Sequence, residues 1–182
     1  YIYVHDMSAR RDTMNCCLFD VQNVLSGGFE MGNIWYNEPK SLDVAFDVIG
    51  DIVLSAASQQ YGGFTVPSVD LILEPYAEKS YKRNVEKYLR LGIDKDTAEA
   101  EGYADVVREF EQGFQGWEYK FNTVASSRGD YPFITVTAGT GTGRFAKQAT
   151  ISMLNVRRRR KGKKECKKPV LFPKIVFLYD EN

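Results

Sequence analysis

The run Phe133-Ile134-Thr135-Val136-Thr137-Ala138, followed at once by Gly139-Thr140-Gly141-Thr142-Gly143, constrains the fold more than any other feature. Threonine alternates with apolar residues over 133–138, the period of a strand with one buried face. The glycines permit a tight turn, and a helical pattern runs from about Arg144 to Val156. A further apolar segment, VLFPKIVFLY over 170–179, reads as a buried strand interrupted by Pro173. Strands connected through helices predict a parallel sheet, and so an α/β fold.

Upstream, residues 1–5 (YIYVH) and 14–19 (MNCCLF) read as short strands, and Asp20 caps a short helix ended by Gly27 and Gly28. Ser41 stands at the N-cap of a helix whose stripe is Leu42, Ala45, Phe46, Ile49, Ile52, Val53 and Ala56. Residues 59–67 (QQYGGFTVP) read as a turn-rich connector. Ser68 then opens a helix that passes Pro75 and stops at Gly92. Asp96, with Glu99 as its capping-box partner, opens a third helix carrying Tyr103, Val106, Val107, Phe110, Phe114 and Trp117. Gly102, Gly113 and Gly116 interrupt that helix and are expected to admit close packing.

The chain of 182 residues has 24 basic and 24 acidic residues. The zero sum hides a strong asymmetry. Residues 157–168, RRRRKGKKECKK, hold nine bases and one acid, so the rest of the chain has an excess of eight acids. This segment is expected to be a loop, either solvated or lying over phosphates. It has no interleaved aromatic residues to stack on single-stranded bases. No apolar run is long enough for a membrane span.

The site chemistry is narrow. Cys16, Cys17 and Cys166 form no CxxC pair and His5 is the only histidine, which excludes a zinc site of ordinary Cys/His composition. There is no GxSxG elbow for a hydrolase triad. Three cysteines without framework spacing argue for a reducing compartment. On a strand, Cys16 and Cys17 point to opposite faces, so only one faces a site. Asp43, Asp47 and Asp51 share one helical edge and are expected to be solvated. GTGTG at 139–143 lies where a strand meets a helix, a place that suits an anion, with Arg128 and Arg144 flanking it. Its spacing is neither the dinucleotide nor the P-loop fingerprint.

Five words of the sequence carry a family resemblance. They are HDMSARRDTMNCCLFDVQNVLSGGFEMGN (5–33), PKSLDVAF (39–46), QQYGGFTVP (59–67), FNTVASSRGDYPFITVTAGTGTG (121–143) and KKPVLFPKIVFLYDEN (167–182). In this order, over essentially the whole chain, the sequence resembles the large subunit of the anaerobic ribonucleoside-triphosphate reductases. These are the glycyl-radical (class III) ribonucleotide reductases.

The resemblance implies a ten-stranded α/β barrel, of which residues 1–182 are the first half of the catalytic domain. It implies reduction of ribonucleoside triphosphates to 2′-deoxy forms by radical chemistry. A thiyl radical on a finger-loop cysteine takes the 3′ hydrogen, and a cysteine on the first barrel strand takes part in reducing the 2′ position. Formate is the reductant in many members. The family's Asn-Cys word matches Asn15-Cys16, which places the strand role on Cys16, although alternation alone does not choose between Cys16 and Cys17. Ser126, Ser127 and Arg128 match a loop near the nucleotide, before Pro132-Phe133. Gly139, Gly141 and Gly143 match a loop expected to meet phosphate. His5 falls in a matching His-Asp word, without the additional histidines that some members carry.

The resemblance also implies ATP and deoxynucleotide effectors near a homodimer interface, with the helices from Ser41 and Asp96 as candidates. A radical-generating activase with S-adenosylmethionine and an iron–sulfur cluster is implied as a partner. No cofactor is expected within these residues, because the glycyl-radical site, the zinc cysteines, the thiyl cysteine and the ATP-cone have no counterpart in them. The implied location is cytoplasmic, with neither a membrane nor a nucleic acid as partner. The chain begins at Tyr1 inside an expected strand and ends just after another, so it is expected to be a window on a longer barrel, inert alone and poorly stable with open sheet edges. The other reading of the residues is a non-catalytic nucleotide- or nucleic-acid-binding α/β module with a basic arm.

Overall fold

The computed structural model describes residues 15–60, 62–125, 129–159, 161–163 and 166–179. The strand expected at 1–5, His5, and the Ser126-Ser127-Arg128 loop lie outside the described residues.

In chain order the elements are β1 (Cys17–Leu18), α1 (Val21–Leu25), β2 (Phe29–Met31), β3 (Ile34–Tyr36), α2 (Leu42–Ala57), β4 (Phe64–Val66), α3 (Val69–Arg90), α4 (Lys95–Thr123), β5 (Ile134–Ala138), α5 (Arg144–Arg158), β6 (Lys161–Lys163), β7 (Cys166–Lys168) and β8 (Lys174–Phe177). Strands β1, β4, β5 and β8 form one parallel sheet in that order. Parallel neighbours require crossovers, which α2, α3, α4 and α5 supply. The α/β reading therefore holds. β2 and β3 form an antiparallel hairpin, and Gly28 at its start has φ +89° and would drive a Cβ to 2.6 Å from the Tyr36 carbonyl oxygen.

One face of the sheet carries the core. Phe64, Val66, Ile134, Val136 and Ala138 alternate inward and are buried beneath the helices. Thr65, Thr135 and Thr137 point the other way, as does Leu18, which is 76% exposed. The expected stripe of α2 is buried from Leu42 to Val53, with Ala56 partly buried. On α4, Val106, Phe110, Phe114 and Trp117 are buried. The Phe46 ring meets Phe114 and Trp117 edge-on with centroids 4.9 Å apart, and Trp117 Nε1 donates to the Phe46 carbonyl at 2.8 Å. Gly113 explains this closeness, since a Cβ there would run into the Phe46 ring. Gly102 acts likewise, with Val85 Cγ2 only 2.7 Å from where its Cβ would stand.

Four expectations need correction. The segment at 59–67 is not only a connector, because Phe64–Val66 is an interior strand of the sheet. The N-cap of α4 lies two residues before Asp96: Asp94 holds it and accepts from Thr97 N at 3.0 Å. Ser41 and Ser68 occupy N-cap positions without a side-chain cap bond. Ser41 Oγ donates to the Asp43 carboxylate instead, and the Leu42 amide donates to Ser80 Oγ at 2.9 Å. The basic segment is not a plain loop: its first residues complete α5, and β6 pairs antiparallel with β7.

Candidate functional site

Asn15 and Cys16 stand at the amino end of β1, beside the Gly62-Gly63 step that enters β4. Gly62 N donates to Asn15 O at 2.6 Å and Cys17 N to Gly63 O at 3.1 Å, so the two strands begin pairing there. The cysteines diverge as strand alternation requires. Cys16 is exposed, and its Sγ accepts the Gly63 N–H at 3.3 Å. Cys17 is partly buried against the core, and its Sγ accepts Gln60 Nε2 at 2.9 Å. Cys16 thus shares the open face of the sheet with Leu18, while Cys17 turns toward the helices. Gly62 is needed for this approach. A Cβ there would stand 2.6 Å from Asn15 O, Asn15 Oδ1 and Cys16 Sγ alike.

A cavity of about 110 Å³ opens at the same end of the sheet, lined by Leu54, Gln60, Gly62, Tyr131, Pro132 and Phe133 among others. It borders the entry to β5, at the end of the sheet that holds Cys16.

The glycine loop lies at the other end. Gly139, Gly141 and Gly143 follow the carboxyl end of β5. They are expected to meet substrate phosphate; among the described residues their surroundings are acidic side chains of the protein itself. Asp70, fully buried in the first turn of α3, takes the Gly139 N–H at 3.0 Å and the Gly141 N–H at 2.9 Å on its Oδ2. A Cβ on Gly143 would collide with the Glu74 carboxylate. Arg144 is committed to Glu78 at 3.3 Å and lies over the Tyr81 ring at 4.3 Å. The protein's own carboxylates occupy the place of an anion, and they repel a second one. Nothing in sequence spacing separates such an internally filled nest from an open one.

The basic segment is also partly spent. Arg157 pairs with the buried Glu118 at 3.1 Å and donates to the carbonyls of Val170, at 2.8 Å, and Pro173. Burial lowers its pKa against the opposing pull of Glu118. Arg159 grips Glu111 with two bonds of 2.9 Å. These arginines tie α5 to α4 and to the approach to β8. On α2, Lys120 bridges Asp47 at 3.4 Å and Asp51 at 3.2 Å, so the acidic edge meets a lysine from α4.

Among the described residues no group of three or more His, Cys, Asp or Glu side chains could hold a metal ion. The zinc of the resemblance does not fit them, and three cysteines are too few for a four-thiolate iron–sulfur cluster. No helix among the described residues is long and apolar enough to cross a membrane. A groove of about 440 Å³ runs along α2 and α4, lined by Asp43, Asn84, Arg108, Gly113, Trp117 and Lys120 among others.

The curated anaerobic ribonucleoside-triphosphate reductase of Enterobacteria phage T4 is 36% identical over 185 residues, covering 100% of this chain and 30% of that protein. Those of Haemophilus influenzae and Escherichia coli are 38% and 34% identical, each over 97% of this chain and 25% and 24% of their own length. The chain therefore spans 24% to 30% of the length of these relatives. The anaerobic ribonucleotide reductase from Thermotoga maritima in complex with dATP and CTP superposes with a TM-score of 0.58 at 16% identity, over 87% of this chain and 28% of that one. The same enzyme with dATP bound in the specificity site gives 0.56, over 84% and 26%. These likenesses show the fold, part of an α/β barrel. The family model for anaerobic ribonucleoside-triphosphate reductase matches residues 1–182, and the chain belongs to that family.

Proposed function

We propose that residues 1–182 are part of the catalytic barrel of an anaerobic ribonucleoside-triphosphate reductase, and that Cys16 is the strand cysteine that helps reduce the 2′ position of the substrate. The observation that carries this reading is the placement of Cys16: exposed, on the open face of the parallel sheet, its sulfur held by the Gly63 N–H at 3.3 Å. The open face becomes the inner wall when such a sheet closes into a barrel. A thiol there can give up its proton toward the departing hydroxyl. The Gly63 N–H then stabilises the charge left on sulfur. Cys17, turned to the core and bonded by Gln60, keeps the strand seated.

The family's radical would supply the unpaired electron that starts the reaction; in this reading the activase is a separate partner protein, and the zinc cysteines have no counterpart among these residues. In this reading effector nucleotides and a second subunit meet the helices α2 and α4, along whose groove Arg108 pairs with Asp105 and Lys120 with Asp47 and Asp51. The reading implies a cytoplasmic enzyme without a nucleic-acid ligand. The engagement of Arg157 and Arg159 within the fold weighs against a free basic arm.

The test is Cys16→Ser in the complete reductase. Nucleotide binding should persist while deoxynucleotide formation falls to background. Turnover retained by that variant would overturn the assignment.

A further inference from the structure

We infer that Lys174, with Thr135 and Thr65, forms an oxyanion site on the open face of the sheet. The inference rests on the reductase reading above, and it gives that reading a second contact for the substrate.

The register of the sheet sets the geometry. Leu18 lies beside Thr65, Thr65 beside Thr135, and Thr135 beside Lys174, so the four residues form one line across β1, β4, β5 and β8. Their inward neighbours Cys17, Phe64, Ile134 and Ile175 pack on the core. By alternation the four side chains of the line face away from the helices, on the side that carries Cys16. Thr65 and Thr135 are partly buried and Lys174 is exposed. Among the described residues none of these three side chains has a hydrogen-bond or ion-pair partner, whereas Thr137, one step along, accepts the Ser68 N–H at 2.8 Å.

Two hydroxyls and an ammonium in line, about 4.8 Å from strand to strand, are a row of donors. Among the described residues the surrounding open face offers them no counter-charge: Leu18 and Val176 are its exposed apolar neighbours, at 76% and 43%. In a closed barrel this lysine is drawn from water, and an ammonium without an anion is costly there. Its partner is therefore an oxyanion that arrives with a ligand. Cys16 lies three strands away, roughly 14 Å across the sheet, and the flexible lysine stem shortens that span. A nucleotide whose ribose sits at Cys16 extends its phosphates toward Lys174. The carboxylate of a small reductant such as formate is the other source of the same chemistry.

The experiment measures binding of CTP and of cytidine to the complete reductase carrying Cys16→Ser, with and without Lys174→Met, and KM for formate in the Cys16 enzyme. If phosphate is the ligand, Lys174→Met weakens CTP binding at least tenfold, leaves cytidine unchanged, and Lys174→Arg restores most of the loss. If carboxylate is the ligand, KM for formate rises by a similar factor instead. Thr135→Val repeats either effect at about threefold, and it decides the matter should Lys174→Met fail to fold. Unchanged CTP binding and unchanged KM for formate in folded variants would overturn the site and assign Lys174 to a protein carboxylate. The reductase reading fails separately, through turnover by Cys16→Ser.

Discussion

Asp70 Oδ2 accepts the backbone N–H of Gly141 at 2.9 Å, and the same oxygen takes Gly139 at 3.0 Å. A buried carboxylate from the first turn of α3 thus clamps the loop that leaves β5. Ala at Asp70 would leave two partly buried amides without their acceptor and lower stability by about 1–3 kcal/mol. Asn keeps one acceptor oxygen and should lose less. Thermal or denaturant unfolding of the three proteins checks the order Asp, Asn, Ala.

The glycines of α4 give a pair of substitutions with opposite signs. Gly113→Ala forces a methyl into the Phe46 ring and should destabilise by about 1–3 kcal/mol. Gly116→Ala meets open space and should stabilise by up to about 1 kcal/mol through helix propensity. Unfolding midpoints measured side by side decide this, and equal effects would contradict the packing described.

The arginines of the basic segment should divide in the same way. Arg157→Met removes a guanidinium from the buried Glu118 and from two backbone carbonyls, at a cost of about 3 kcal/mol. Arg159→Ala breaks an exposed pair with Glu111 and should cost far less. The difference is read from denaturant titrations, and raising the salt concentration should further weaken only the second contact.

Gly62 controls the setting of the cysteine. A Cβ at this position strikes Asn15 and Cys16 Sγ, so Gly62→Ala should displace the start of β1 and change the rate at which Cys16 reacts with iodoacetamide. In the parent chain Cys16 should react well before Cys17, since only Cys16 is exposed. Peptide mapping after timed alkylation reports both. Equal labelling of the two thiols would show that they do not take opposite faces.

Much of this fold is legible where a long period exists. The strand at 134–138, its glycine turn and α5 are written as alternation followed by a helical stripe, and the cores of α2 and α4 follow from their apolar spacing. β4 is hidden because only Phe64–Val66 pair, between two glycines and Pro67, where local composition says turn. The β6–β7 hairpin is hidden because lysine-rich composition speaks of solvent and not of backbone pairing. Asp94 and Asp96 both fit an N-cap, and the Thr97 amide selects the first. At the site, Asn15 and Cys16 are marked by a family word, whereas Asp70 lies 69 residues from Gly139 and carries no local signal. Alternation says only that Cys16 and Cys17 differ, and the register of β1 on β4 is what turns Cys17 toward the core and Cys16 to the open face.

The most direct measurement compares Cys16→Ser with Cys17→Ser in the complete reductase, following deoxycytidine triphosphate formation together with CTP binding. The Cys16 variant should bind CTP and form no product, and the Cys17 variant should retain most of its turnover with some loss of stability. Product formation by the Cys16 variant, or its selective loss in the Cys17 variant, would contradict the assignment of the open-face thiol to the chemistry.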